Sequence, residues 1–221
     1  MGFEYKSLIK PMTILQSKNL SIGDIHRLFG YQRQYNDSFS SLLSIEPLTE
    51  YERQEVLQIR TDIDNYYIES KVLEGLVKAL IVFPLMRLAG FYRFPIKIAL
   101  EENIADIVIE DEDTKFTGRL DILAVNKEKL NAAKVSFWVL IIEAKNSEIA
   151  VSAGLPQLLT YAYECLEHQK SVWGLTTNGR EYQFVYIQQG NPPTYQLMPL
   201  LNLMESERAV ELLQVFKSCS G

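Results

Sequence analysis

The sequence predicts an α/β fold with one central mixed β-sheet flanked by helices. Three observations carry this. A helical stretch opens near residue 50, segments rich in Ile, Val, Phe and Leu run from residue 95 to 145, and a further helix then precedes two more strand-like segments. Helices and strands in that order pack as layers around a mixed sheet. With 221 residues, 47% of them hydrophobic and 23% charged, the chain has enough apolar surface for one core with an appendage.

Each element has its own signal. Residues 1–47 carry short apolar clusters, "SLIKPMTIL" and "IHRLFGY", among polar turns, and are expected to form an N-terminal appendage packed on a main domain of residues 48–221. Thr49 stands three residues before Glu52, a capping box in which each side chain satisfies a free amide of the helix start. The stretch "IESKVLEGLVKALIVFPLMRLAG" places Leu73, Leu76, Val77, Leu80 and Ile81 at helical spacing, with a kink expected at Pro84 and a stop at Gly90. Strands are expected in "PIKIALEE", "DIVIEDED", "FTGRLDILAVN" and "VSFWVLIIEAK". A helix follows from Pro156 to about His168, its proline in the first turn where a missing amide costs nothing. "VWGLTT" and "EYQFVYIQ" flank Asn178-Gly179, a hairpin signal because both residues tolerate positive φ, and "ESERAVELLQVFK" closes the chain as a helix.

Composition removes several function classes. Cys165 and Cys219 lack metal-ligand spacing, so a disulfide framework or zinc site has no support and a reducing, cytoplasmic location is expected. Only His26 and His168 are present, which leaves oxygen as the ligand for any metal. The apolar run Ala79–Met86 is too short for a bilayer and holds Pro84, so no membrane partner is expected. The formal charge of −6 opposes a grip on nucleic acid by phosphate neutralisation alone, although an acidic metal site pulls the balance the same way. The chain has no "GxxxxGK[ST]", hence no P-loop motor of its own.

The chemistry concentrates in "VLIIEAKNSE". Four apolar residues fit a strand buried on both faces, yet Glu143 and Lys145 follow, two apart and so on one face. Asp121 enters a second apolar run, "ILAV", the same way. A carboxylate left unpaired there costs several kcal/mol, and one lysine pairs only one of the two, so a divalent cation is expected to complete the site. Mg²⁺ suits it, held by Asp121, Glu143 and the backbone carbonyl of Ala144, while Lys145 serves the attacking water in phosphodiester hydrolysis. The same residues also fit a strand-end salt bridge beside a turn aspartate.

Asp121 followed 22 residues later by Glu143-Ala144-Lys145 resembles the PD-(D/E)-x-K nuclease superfamily, the fold of restriction endonucleases. "QLLTY", with Gln157 and Tyr161 four apart on one helix face, resembles a signature of recombination nucleases and of type I restriction subunits, as does "GLTTNGREY". Leu120 replaces the name-giving proline, which supplies no ligand. The closest likeness is to the N-terminal nuclease domain of type I restriction R subunits, over about residues 69–190. The resemblance implies a restriction-endonuclease-like core and a metal-dependent endodeoxyribonuclease of a restriction or repair system. It further implies Mg²⁺ or Mn²⁺ on Asp121 and Glu143, Lys145 at the water, and Gln157 and Tyr161 bracing the site against the substrate backbone.

The resemblance also implies a further acidic residue on the first core helix, as in many members of that fold. Glu69 and Glu74 compete, about 140° apart on one helix, and Glu74 is preferred because its distance before Gly90-Phe91 resembles that in the restriction subunits; a solvated glutamate fits as well. Arg119 is expected to face outward, away from Asp121. Implied partners are DNA, a separate motor or specificity subunit, and a second copy of the chain. A different class of function fits the acidic charge: a nuclease-fold module that binds protein or nucleic acid without catalysis.

Overall fold

The computed structural model describes residues 13–35, 37–101, 107–109, 114–130 and 136–220. The chain opens with β1 (Thr13–Gln16), α1 (Ile22–Phe29) and β2 (Gln32–Tyr35), and then forms the long helix α2 (Glu50–Glu69). A second helical run consists of α3 (Glu74–Val77), a π-helical turn (Lys78–Val82) and α4 (Phe83–Leu88). Strands β3 (Ile96–Leu100), β4 (Ile107–Ile109), β5 (Thr114–Thr117), β6 (Ile122–Leu130) and β7 (Ser136–Ala144) follow. Helix α5 (Leu155–Leu166) leads to β8 (Ser171–Thr177), β9 (Glu181–Gln188), β10 (Thr194–Leu197), β11 (Leu201–Asn202) and α6 (Ser206–Ser220).

The main sheet runs β2-β10-β9-β8-β7-β6-β3, with β11 paired to β9. It is mixed: β7 and β8 are parallel, as are β2 and β10, and the other pairs are antiparallel. Parallel neighbours need a crossover, and α5 supplies it between β7 and β8. A smaller sheet, β1-β5-β4, stands apart.

Helices cover both faces of the main sheet. Leu140 and Ile142 of β7 pack in one core with α2, α4 and α6, and Ile141 packs in the other with α1 and α5. Burial on both faces explains why "VLII" has no polar alternation. Of the described residues before 48, α1 places Ile25, Leu28 and Phe29 in the second core, and β2 extends the main sheet.

The capping box at Thr49 is present, with Glu52 N–H donating to Thr49 Oγ1 at 3.2 Å and Thr49 N–H donating to Glu52 Oε2 at 2.8 Å. The second helix differs from expectation. Ile68 and Glu69 end α2, the chain turns through fully extended Ser70, and a new helix begins at Glu74. Glu69 and Glu74 therefore lie on different helices, and the 140° comparison between them does not apply. Val77 and Ile81 are buried as the spacing predicts, but Leu73 and Leu76 are exposed, and Val72 takes the buried place ahead of α3. The kink expected at Pro84 takes the form of the π-helical turn just before it. Proline clashes with the carbonyl four residues back, here Leu80 inside that turn, and a widened turn relieves the clash.

The segment "FTGRLDILAVN" is two strands rather than one, β5 and β6, separated by Gly118–Asp121. Only residues 107–109 of "DIVIEDED" fall within the described residues. Asn178-Gly179 joins β8 to β9 as expected, but only Gly179 has positive φ. Asn178 acts through its side chain, whose Oδ1 accepts from the N–H groups of Arg180 and Glu181. Among the described residues no helix is long and apolar enough to cross a membrane.

Candidate active site

Strand register brings the acidic pair together. Ile122 of β6 is opposite Ile142 of β7, so one step further along the same antiparallel ladder sets Asp121 across from Glu143. Asp121 is held there by its own neighbour's partner: Ala144 N–H donates to Asp121 Oδ2 at 2.9 Å. The peptide of Ala144 thus meets Asp121 through its N–H.

Glu143 is 1% exposed. Lys145 Nζ donates to its Oε1 at 2.5 Å, while Oε2 is buried with no hydrogen-bond partner among the described residues. Desolvation pushes the Glu143 carboxyl up to about 8, the charge of Asp121 adds to the rise, and Lys145 opposes it. A surface strand-end salt bridge has neither this burial nor this orphan oxygen.

Helix α5 braces Lys145 through a directed chain of hydrogen bonds. Tyr161 Oη donates to the Arg119 carbonyl at 2.8 Å and receives Gln157 Nε2 at 2.6 Å, so Gln157 turns Oε1 toward Lys145 Nζ at 3.3 Å. Burial raises the Tyr161 hydroxyl to about 12, which keeps its proton in place to donate. Two of the three ammonium protons of Lys145 are engaged in this way, by Glu143 and Gln157.

Glu74 reaches the site through an intermediary. Lys78 Nζ donates to Glu74 Oε1 at 2.9 Å and to Asp121 Oδ1 at 3.2 Å, although Lys78 and Asp121 are each only 16% exposed. Burial opposes the charge on Lys78, but its two carboxylate partners outweigh that and its pKa is raised.

Apart from Lys78 and Ala144, these residues line one cleft of about 510 Å³ with Gln16, Ser17, Lys18, Thr117, Gly118 and Arg119. All six predicted side chains, Asp121, Glu143, Lys145, Gln157, Tyr161 and Glu74, are in it. Arg119 faces outward as expected and pairs with Glu101. The contributions of Lys78 and Ser17 were not anticipated. Glu74 and Lys78 have the spacing of an ordinary helix-surface pair, and nothing local links either to Asp121. Ser17 Oγ donates to Tyr161 Oη at 3.2 Å across 144 residues of chain, and Gly118 makes room for the contact: a Cβ there would stand 2.3 Å from Ser17 Oγ.

Among the described residues no three His, Cys, Asp or Glu side chains gather as a ready metal cage. Two carboxylates with an unpaired buried oxygen nevertheless fit Mg²⁺ or Mn²⁺, which need only one or two protein carboxylates when water and substrate oxygens fill the remaining positions.

No protein-family model matches the chain, and no curated protein is significantly similar to it.

Proposed function

We propose that the chain is a metal-dependent nuclease with a restriction-endonuclease-like core that hydrolyses DNA phosphodiester bonds. The observation that carries this reading is Glu143: a carboxylate 1% exposed, salt-bridged on one oxygen and orphaned on the other, opposite a second carboxylate at the floor of an open cleft. A fold that did no chemistry would gain by filling this place with an apolar side chain, since a buried ion pair seldom repays its desolvation.

Asp121 and Glu143 would hold Mg²⁺ or Mn²⁺. Bound there, the cation supplies positive charge against the phosphorane and makes water more acidic. Lys145 does the rest at close range. With two ammonium protons fixed on Glu143 and Gln157, the third is free to orient the attacking water and to meet charge developing on a phosphate oxygen. Gln157 and Tyr161 set the direction of that proton by holding Lys145 from behind. The parallel pair β7/β8, buried on both faces, keeps Glu143 on rigid backbone, and Lys145, just past β7, is tied to it by its N–H donating to the Thr177 carbonyl at 2.8 Å.

Purified protein incubated with plasmid, linear and single-stranded DNA, and with RNA, in Mg²⁺ or Mn²⁺ tests the proposal. Cleavage should require the metal and fall at least a hundredfold in Lys145→Ala, in line with loss of a group acting on the transition state. Cleavage equal in wild type and Lys145→Ala, or none on any substrate, would leave a nuclease-fold binding module as the better reading.

A further inference from the structure

We propose that Lys78 is a counterion built into the site, an ammonium that occupies the cation position beside Asp121 and must leave it before a divalent metal can bind. This rests on the nuclease reading above. Asp121 has two oxygens, and both are engaged: Oδ2 receives the Ala144 N–H at 2.9 Å and Oδ1 receives Lys78 Nζ at 3.2 Å. The backbone contact is fixed by the sheet. The contact to Lys78 is made by a flexible side chain and is the one that can yield.

Charge sets the reason for the exchange. Glu74, Asp121 and Glu143 are balanced formally by Lys78 and Lys145, one positive charge short. A divalent ion added with Lys78 still on Asp121 would crowd two cations onto one oxygen. If Lys78 instead moves back onto Glu74, which it already contacts at 2.9 Å, the two form a neutral pair and no charge is stranded. The inner group of Asp121, Glu143, Lys145 and metal then carries a formal +1, the complement of one phosphodiester. Without metal, and with Glu143 ionised, Lys78 on Asp121 makes the same group formally neutral, and it offers a phosphate no net positive charge. Lys78 thus makes the empty site stable and ties substrate acceptance to metal loading.

The backbone supports a movable Lys78. The π-helical turn starts at this residue, where its N–H is shared between the carbonyls of Glu74 and Gly75. Turns of this kind recur at functional positions because the hydrogen-bond register changes there.

Calorimetric titration of Mn²⁺ and Mg²⁺ into the full chain, paired with thermal unfolding, tests the inference without any activity readout. Lys78→Gln keeps an amide donor for Glu74 and Asp121 but removes the competing charge. It should lower the metal-free unfolding midpoint, tighten metal binding roughly tenfold, and show a larger metal-induced rise in midpoint than wild type. Lys78→Met, with no donor, should shift binding the same way, and either variant suffices if the other does not fold. Metal binding equal to or weaker than wild type in the folded variant overturns the proposal and makes Lys78 a mere support for Asp121. Asp121→Asn separates the two levels: if wild type binds no more metal than Asp121→Asn, the nuclease reading itself falls.

Discussion

Glu143 concentrates the tension of the molecule in one side chain. Its carboxyl titrates near 8 in the fold against about 4.5 as an ordinary glutamate, so the fold prefers it protonated. Below about 4.5 both folded and unfolded chains carry the proton and the group costs nothing. As pH rises from there to about 8 the unfolded chain ionises freely while the fold resists, and stability falls; above about 8 the penalty is complete and constant. The full penalty has an upper bound of about 5 kcal/mol, a figure that already includes the relief given by Lys145. Glu143→Gln should therefore flatten the pH dependence, gaining on wild type between pH 5 and pH 9 in melts with chelator present. A parallel pH dependence in the two proteins would contradict the burial argument. Much at this scale was legible in the sequence. The two-residue spacing of Glu143 and Lys145, and an aspartate entering an apolar run, are local patterns that need no tertiary information. Lys78 and Ser17 were not legible because each meets its site partner through space, from an element whose own pattern is unremarked.

At the scale of elements, the site depends on how α5 rests on the sheet. Gly174 in β8 lies close under that helix, since a Cβ there would stand 2.7 Å from Leu158 Cδ2 and 3.1 Å from its Cγ. Leu158 is fully buried, so its side chain can give way only by displacing other core atoms. Gly174→Ala should cost about 1–3 kcal/mol in denaturant unfolding, as overpacking does, and lift the helix that carries Gln157 and Tyr161. An unchanged midpoint would mean that the contact relaxes freely. Helix α5 and strands β7, β8 and β9 were readable because apolar runs, a first-turn proline and Asn178-Gly179 all mark them locally. Strands β1, β2 and β10 were not, because they are four residues each, and β1 and β2 form only by pairing with strands distant in sequence. The break between α2 and α3 was missed for a related reason: the apolar spacing carries on across it, and only the extended backbone at Ser70 ends the helix.

Across the whole molecule, the cleft has walls from three separated parts of the chain: residues 16–18, Glu74, and the stretch from Thr117 to Tyr161. Lys18, exposed at its mouth, is the cationic contribution of the first of these. In a protein of formal charge −6, local positive charge decides where a polyanion can lie. Lys18→Ala should weaken DNA binding and lower the slope of log affinity against log salt by about 1, the change expected for one lost phosphate contact. An unaltered slope, measured under non-cleaving conditions, would place the nucleic acid elsewhere.

The bond from Ser17 to Tyr161 closes a loop of 144 residues, so the hollow between them comes into being only when the first part of the polypeptide folds back on a helix made far later. Before residues 16–18 dock, Asp121, Glu143 and Lys145 already meet at the end of the β6/β7 ladder, but the cleft around them lacks one wall.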